Sequence, residues 1–168
     1  ISIFTAIIYK SKMVLNFKIE RTTSQDFNFL KLVAELDKDL KIKNGTKNDF
    51  FAQYNKSDTI NHVIVAYIKE KPVGCGAFKE FDSDTVELKR MYVVPDFRCQ
   101  GIASEILNEL EKWASELQYK KCILETGDKM KEAIGLYQKH QFVKTKNYGQ
   151  YENITSSLCF KKSIGNKN

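Results

Sequence analysis

The stretch from Val86 to Ser104, VELKRMYVVPDFRCQGIAS, constrains the fold more than any other part of the chain. An apolar strand runs into Pro95, which locks its own φ and has no N–H to extend a sheet ladder. A short loop holding Arg98, Gly101 and Ala103 follows, and an amphipathic helix begins directly after it. The first N–H groups of a helix have no intrahelical partner, and the helix dipole favours negative charge there. Gly101 and Ala103 lack bulk, so an anion can approach the main chain. The stretch therefore predicts a strand, a turn and a helix gathered around an anion, most simply a phosphorylated ligand.

The helix is expected from about Gly101 to Gln118, with Ile102, Ile106, Leu110, Trp113 and Leu117 on one face. A strand from Lys121 to Thr126 follows. A strand–helix–strand unit over Thr85–Thr126 predicts a right-handed crossover between two parallel strands. Upstream, Asn16 to Arg21 alternates as a strand, and Ser24 offers an N-cap with Asp26 in the first turn. Phe29, Leu30, Leu32, Val33, Leu36 and Leu40 recur at helical spacing until Asn44-Gly45. Asn48 to Tyr54 reads as a short helix. His62–Ile68, Pro72–Phe81 and Thr85–Val94 read as an antiparallel meander, its first two strands joined at Glu70-Lys71. Lys131 to His140 is a helix carrying Ala133, Leu136, Tyr137 and His140 on one side. Phe142–Lys146 and Ser157–Lys161 close the sheet.

A chain of 168 residues holds one domain with a real core. Its 27 Lys and Arg against 21 Asp and Glu give a formal charge of +6, which suits an anionic ligand, RNA or an acidic surface. The basic residues are spread along the chain, Lys161-Lys162 and Lys167 being the one hint of a cluster, and there is no basic aromatic cluster. A nucleic-acid partner is therefore set aside. No apolar run is long enough to cross a bilayer, so no membrane partner is expected. Cys75, Cys122 and Cys159 lie in strand-like runs, Cys99 lies in the loop, and none forms a Cys-x-x-Cys pair. Reduced core thiols and a cytoplasmic location follow. His62 and His140 have no metal-like spacing, so no metal is expected. Ile1–Tyr9 is apolar but its lysines follow it, opposite to a secretory signal. Residues 1–12 read as an upstream or added extension before a start at Met13, with an extra strand or dimer contact as the alternative. Residues 13–162 form the domain and 163–168 a polar tail.

Arg98-Cys-Gln-Gly101-Ile-Ala103 after Val93-Val-Pro95 resembles the acetyl-CoA signature (Gln/Arg)-x-x-Gly-x-(Gly/Ala) of the GNAT N-acetyltransferase superfamily. A second block agrees: Leu124-Glu-Thr-Gly127, then Ala133-Ile-Gly-Leu-Tyr137-Gln-Lys-His-Gln-Phe142, similar to the family's Ala-x-x-Leu-Tyr-x-x-x-Gly-Phe. The resemblance covers residues 16–162 and is strongest over 86–142. Glu87-Leu-Lys-Arg-Met-Tyr-Val and Asn147-Tyr-Gly-Gln-Tyr151 also look like a bacterial subgroup without an assigned substrate. The resemblance implies an α/β fold with a central, mostly antiparallel mixed sheet, one splayed parallel strand pair, and helices on both faces. Acetyl-CoA would lie in the splay, its pantetheine along Met91, Tyr92 and Val93. Its pyrophosphate would sit at Arg98, Cys99, Gln100, Gly101, Ile102, Ala103 and Ser104.

The implied activity is transfer of an acetyl group to a primary amine, of a small molecule or a peptide, by direct attack in a ternary complex. The alternative is an acyl-CoA sensor without turnover. The attacking amine must first lose a proton, from a pKa of roughly 8 for an α-amine or about 10.4 for lysine. A carboxylate can accept it. Tyr137 matches the family's acid for the departing thiolate. Glu87 and Glu125 match the bases of different branches; Glu125 is favoured because its strand end faces the splay. Either glutamate could instead be a salt-bridge partner of Lys89 or Arg90. Phe50, Phe51, Tyr54, Tyr148 and Tyr151 are candidates for an aromatic amine pocket, with Phe50, Tyr54 and Tyr151 foremost, or for ordinary packing. Three departures stand out. Met130 replaces a polar residue that contacts CoA, Gln141 replaces the glycine after the second helix, and Cys99 places a thiol in the loop. Homodimers are common in the family.

Overall fold

Strand residues pack on both faces of one sheet, and each face is covered by helix. The computed structural model describes residues 16–56 and 59–165; the reading of residues 1–12 and Lys167 lie outside them. The order is β1 (Lys18–Thr22), α1 (Phe27–Asn44), α2 (Asn48–Ala52), β2 (His62–Ile68), β3 (Lys71–Asp82), β4 (Thr85–Val93), α3 (Ile102–Glu116), β5 (Lys121–Gly127), α4 (Lys131–Lys139), β6 (Val143–Thr145) and β7 (Ser157–Ser163). The strands lie in the order β1-β2-β3-β4-β5-β7-β6. Neighbours are antiparallel except β4 and β5, which are parallel as the crossover requires. This is the mixed α/β sheet expected from the sequence.

The two faces hold separate cores. Val63, Val65, Cys75, Ala77 and Tyr92 pack with Phe29, Leu32, Val33 and Leu36 of α1. Ile64, Ala66, Phe78, Val86 and Leu88 pack with Ile102, Ile106, Leu107 and Leu110 of α3. Gly74 and Gly76 let α3 approach β3: a Cβ on Gly76 would lie 2.5 Å from Met91 Sδ and 2.8 Å from Ile106 Cγ2. Cys75, Cys122 and Cys159 are buried free thiols.

Several local details differ from the sequence reading. Asp26, not Ser24, caps α1, its carboxylate accepting from Phe29 N at 2.8 Å. Ser24 is buried, and its own N–H bonds Ile60 O at 3.0 Å. Leu30 and Leu117 are exposed, while Leu107 and Ala114 join the core. Leu30 falls beside the buried stripe of α1, and Leu117 lies one residue past the end of α3. The β2–β3 turn sits at Lys69-Glu70, whose φ values of 48° and 63° suit a two-residue hairpin turn.

Candidate active site

β4 and β5 pair only at Thr85–Lys121, Val86–Cys122 and Glu87–Ile123. Beyond that β4 runs on to Val93 and β5 to Gly127, and the two strands part. A β-bulge drives β4 outward. Between Cys75 and Ala77 of β3 the facing residues are Tyr92 and Lys89, so β4 carries one residue more than its partner. Arg90 in the bulge has φ 58°, in the left-handed region.

A cavity of about 150 Å³ occupies the splay. Lys89, Arg90 and Met91 line one wall, Glu125 and Thr126 the other, and Tyr137 reaches in from α4. Leu36, Phe51, Met130 and Tyr151 complete it.

Glu125 and Glu87 have different surroundings. Burial pushes the Glu125 carboxyl above the usual carboxylate range; the bond from Ser157 Oγ at 2.6 Å and the Lys89 charge oppose this, and the Glu87 charge adds to it. Glu87 is buried outside the cavity lining. It takes Lys89 Nζ at 3.2 Å, Lys79 Nζ at 3.6 Å and the Tyr148 hydroxyl at 3.1 Å. Tyr137 is 5% exposed. Burial, then the Glu125 charge, raises its phenol well above the ordinary value, so it stays protonated at neutral pH. Its ring stands edge-on to Phe142 at 5.8 Å.

The aromatic candidates divide. Tyr151 and Phe51 line the cavity, while Phe50 and Tyr54 are outside its lining and meet edge-on, their ring centroids 5.3 Å apart. The cation beside Tyr151 is the chain's own Lys89, whose Nζ lies 5.7 Å from the ring and donates to the hydroxyl at 3.3 Å. Tyr148 is committed to Glu87.

At the far end of β4 the loop leaves an open turn before α3. Gly101 has φ 88°, and a Cβ there would meet nothing within 4 Å. The first helical bond runs from Glu105 N to Gly101 O at 3.1 Å, so the N–H groups of Ile102, Ala103 and Ser104 have no intrahelical partner. Ser104 Oγ lies 2.9 Å from His140 Nε2, tying α3 to the end of α4. Gln100 Nε2 donates to Asp96 O at 3.3 Å, and Cys99 is exposed with φ 61°. Arg98 is turned toward the strand end. Val94 N–H bonds Val73 O in β3, so Val93 O on the same planar peptide points the opposite way, and Arg98 Nε takes it at 2.8 Å. Met91, Tyr92 and Val93 lie on the stretch of β4 that has no β5 partner.

Sequence reasoning missed Arg90 as a cavity residue, because strict alternation would point it away from Lys89; the bulge brings both to one cavity. Among the described residues no group of three His, Cys, Asp or Glu is placed to hold a metal, and no helix is long and apolar enough to cross a membrane.

Comparisons with known proteins agree with this architecture. The Acetyltransferase (GNAT) family profile matches residues 29–142. An uncharacterized N-acetyltransferase of Escherichia coli K12, YjgM, is 40% identical over 57 residues, 34% of each chain; the match thus spans about a third of that relative's length. A candidate acyl-CoA N-acyltransferase of Klebsiella pneumoniae shares the fold with a TM-score of 0.74 and 24% identity, over 88% of this chain and 97% of that one. A GNAT family acetyltransferase of Elizabethkingia anophelis, solved with acetyl-CoA bound, superposes with a TM-score of 0.63 and 21% identity, over 88% and 98%. With the profile covering the splayed strands, the open cradle and the Tyr137 helix alike, the chain belongs to the GNAT acetyltransferase family.

Proposed function

We propose that the chain is an acetyl-CoA-dependent N-acetyltransferase that acetylates a primary amine by direct attack. The observation that carries this reading is the pairing of Glu125 and Tyr137 in one cavity, a carboxylate raised by burial beside a phenol kept protonated. The two groups suit opposite proton transfers in one reaction.

The residues present fit acetyl-CoA. The free N–H groups of Ile102, Ala103 and Ser104 and the open space at Gly101 suit a pyrophosphate. The stretch of β4 without a β5 partner offers main-chain groups on that side to the pantetheine amides, as an added strand would use them. The acetyl-CoA bound to the Elizabethkingia relative supports the same donor here.

Glu125 accepts a proton from the ammonium, directly or through water, and frees the nitrogen lone pair. The amine then attacks the thioester carbonyl: a C–N bond forms, the C–S bond breaks, and the thiolate leaves. Tyr137 donates its proton to that sulfur. The second proton, shed by the acylated nitrogen, passes to the Tyr137 phenolate directly or through water, which leaves a neutral amide and restores the phenol. A backbone N–H near Met91 or Tyr92 is suited to the negative oxygen that develops on the carbonyl. Glu87, held by two lysines and Tyr148, keeps Lys89 in place and is not the base.

The test is thiol release from acetyl-CoA across a panel of small and peptide amines. Amine-dependent release supports transfer. Tight CoA binding with no release from any amine would replace the reading with an acyl-CoA sensor.

A further inference from the structure

Arg90 is buried within the cavity wall, its side chain 3% exposed. Its Nη2 donates to Asp37 Oδ1 at 2.8 Å. Asp37 is 55% exposed, so its carboxylate is largely hydrated from outside. Nε and Nη1 of Arg90 are buried and bonded to no protein atom among the described residues. Leaving a buried donor idle costs its full desolvation, and native proteins rarely do so. An apolar side chain would fill the same position without that cost. Arg90 also holds a left-handed backbone conformation, a strain that persists only where the surroundings impose it. A charged, strained and under-bonded residue on the wall of a reaction cavity is explained by a ligand that completes its bonding.

The charge balance narrows the ligand. Lys89, the other cation of the wall, is matched by Glu87 at 3.2 Å. Glu125 faces the same cavity and repels any anion placed beside it, so an anionic group belongs at the Arg90 side and the amine at the Glu125 side. One guanidinium, already sharing its charge with Asp37, suits a single negative charge better than a doubly charged phosphate. Planar guanidinium donors also match carboxylate oxygens. We infer that Arg90 binds a carboxylate of the acceptor, so that the acetylated amine is an amino acid. This rests on the acetyl-transfer reading for its chemistry, while the anion subsite itself stands on Arg90.

The experiment uses the full chain with free amino acids, their carboxamides and the corresponding decarboxylated amines. The expected result is kcat/KM at least about tenfold higher for an acid than for its carboxamide, the size of one charge-assisted bond. In Arg90→Gln that ratio falls to near one, and Arg90→Lys retains part of it. Equal rates for acid and carboxamide in the unaltered chain would overturn the inference. So would an Arg90→Gln variant that slows both equally, the mark of a merely structural residue. A binding arm separates this from failure of the acetyl-transfer reading. With CoA present, calorimetry compares an N-acetyl amino acid with its carboxamide. Tighter binding of the acid, lost in Arg90→Gln, supports the subsite even if no amine is turned over; equal binding of the two overturns it.

Discussion

Ser157 Oγ donates to Glu125 Oε1 at 2.6 Å, and this bond favours the charged form of a carboxylate that burial otherwise raises. β5 and β7 are antiparallel neighbours, so the two residues of this bond come from adjacent strands. Removing the hydroxyl removes a force that lowers the Glu125 pKa. Ser157→Ala should therefore move the acidic limb of the kcat/KM profile to higher pH. A limb that stays in place would show that Glu125 is not the group titrating.

Glu125→Gln retains shape and can still accept from Ser157, but it cannot take a proton. Turnover at neutral pH should fall by roughly 100-fold or more, with acetyl-CoA affinity retained. Stability should not fall. A carboxyl whose folded pKa is raised loses stability as pH rises from the unfolded value through the raised one, and a neutral amide escapes that loss. Steady-state rates and thermal melts at several pH values check both parts.

Tyr137→Phe keeps the ring packed against Phe142 and removes only the proton to be donated. Turnover should drop while acetyl-CoA binding, read by calorimetry, stays nearly constant. Unaltered turnover would remove Tyr137 from the reaction.

At Gly101 the open space faces the free N–H groups at the start of α3. Gly101→Glu places bulk and negative charge there and should abolish acetyl-CoA binding. Gly101→Ala separates the two effects: the left-handed φ alone should lower stability by about 1 kcal/mol, with a smaller loss of affinity. Retained affinity in the glutamate variant would put the donor elsewhere.

Gln141 has φ 66°, and the Phe142 N–H closes back on Tyr137 O at 3.0 Å, so α4 ends in the left-handed form that favours glycine. Gln141→Gly should stabilise the chain by about 1 kcal/mol, seen as a higher denaturant midpoint with an unchanged slope.

The strand, turn and helix start around Gly101 were legible in the residues because they are local. A strand ending at Val93-Val-Pro95, the turn through Gly101 and the helix after it are contiguous, and orphan N–H groups follow from any helix start. The alternation of β2, β3 and β4 likewise announced a meander. Capping was less legible: Ser24 and Asp26 are both good N-cap residues, and the choice fell to Asp26 because Ser24 is drawn into a bond with the loop at Ile60.

The sequence by itself determined the sheet, the crossover and the turn before α3, since each is written in periodicity and turn chemistry within a few dozen residues. Only the tertiary structure decided which glutamate faces the cavity, because burial and ion pairing depend on strands distant in the chain. Glu87 is taken up by Lys79, Lys89 and Tyr148, while Glu125 is left at the opening with Ser157. It also decided where Arg90 lies. One extra residue in β4 breaks the period of two that sequence reading relies on, and Arg90 joins Lys89 in the cavity wall.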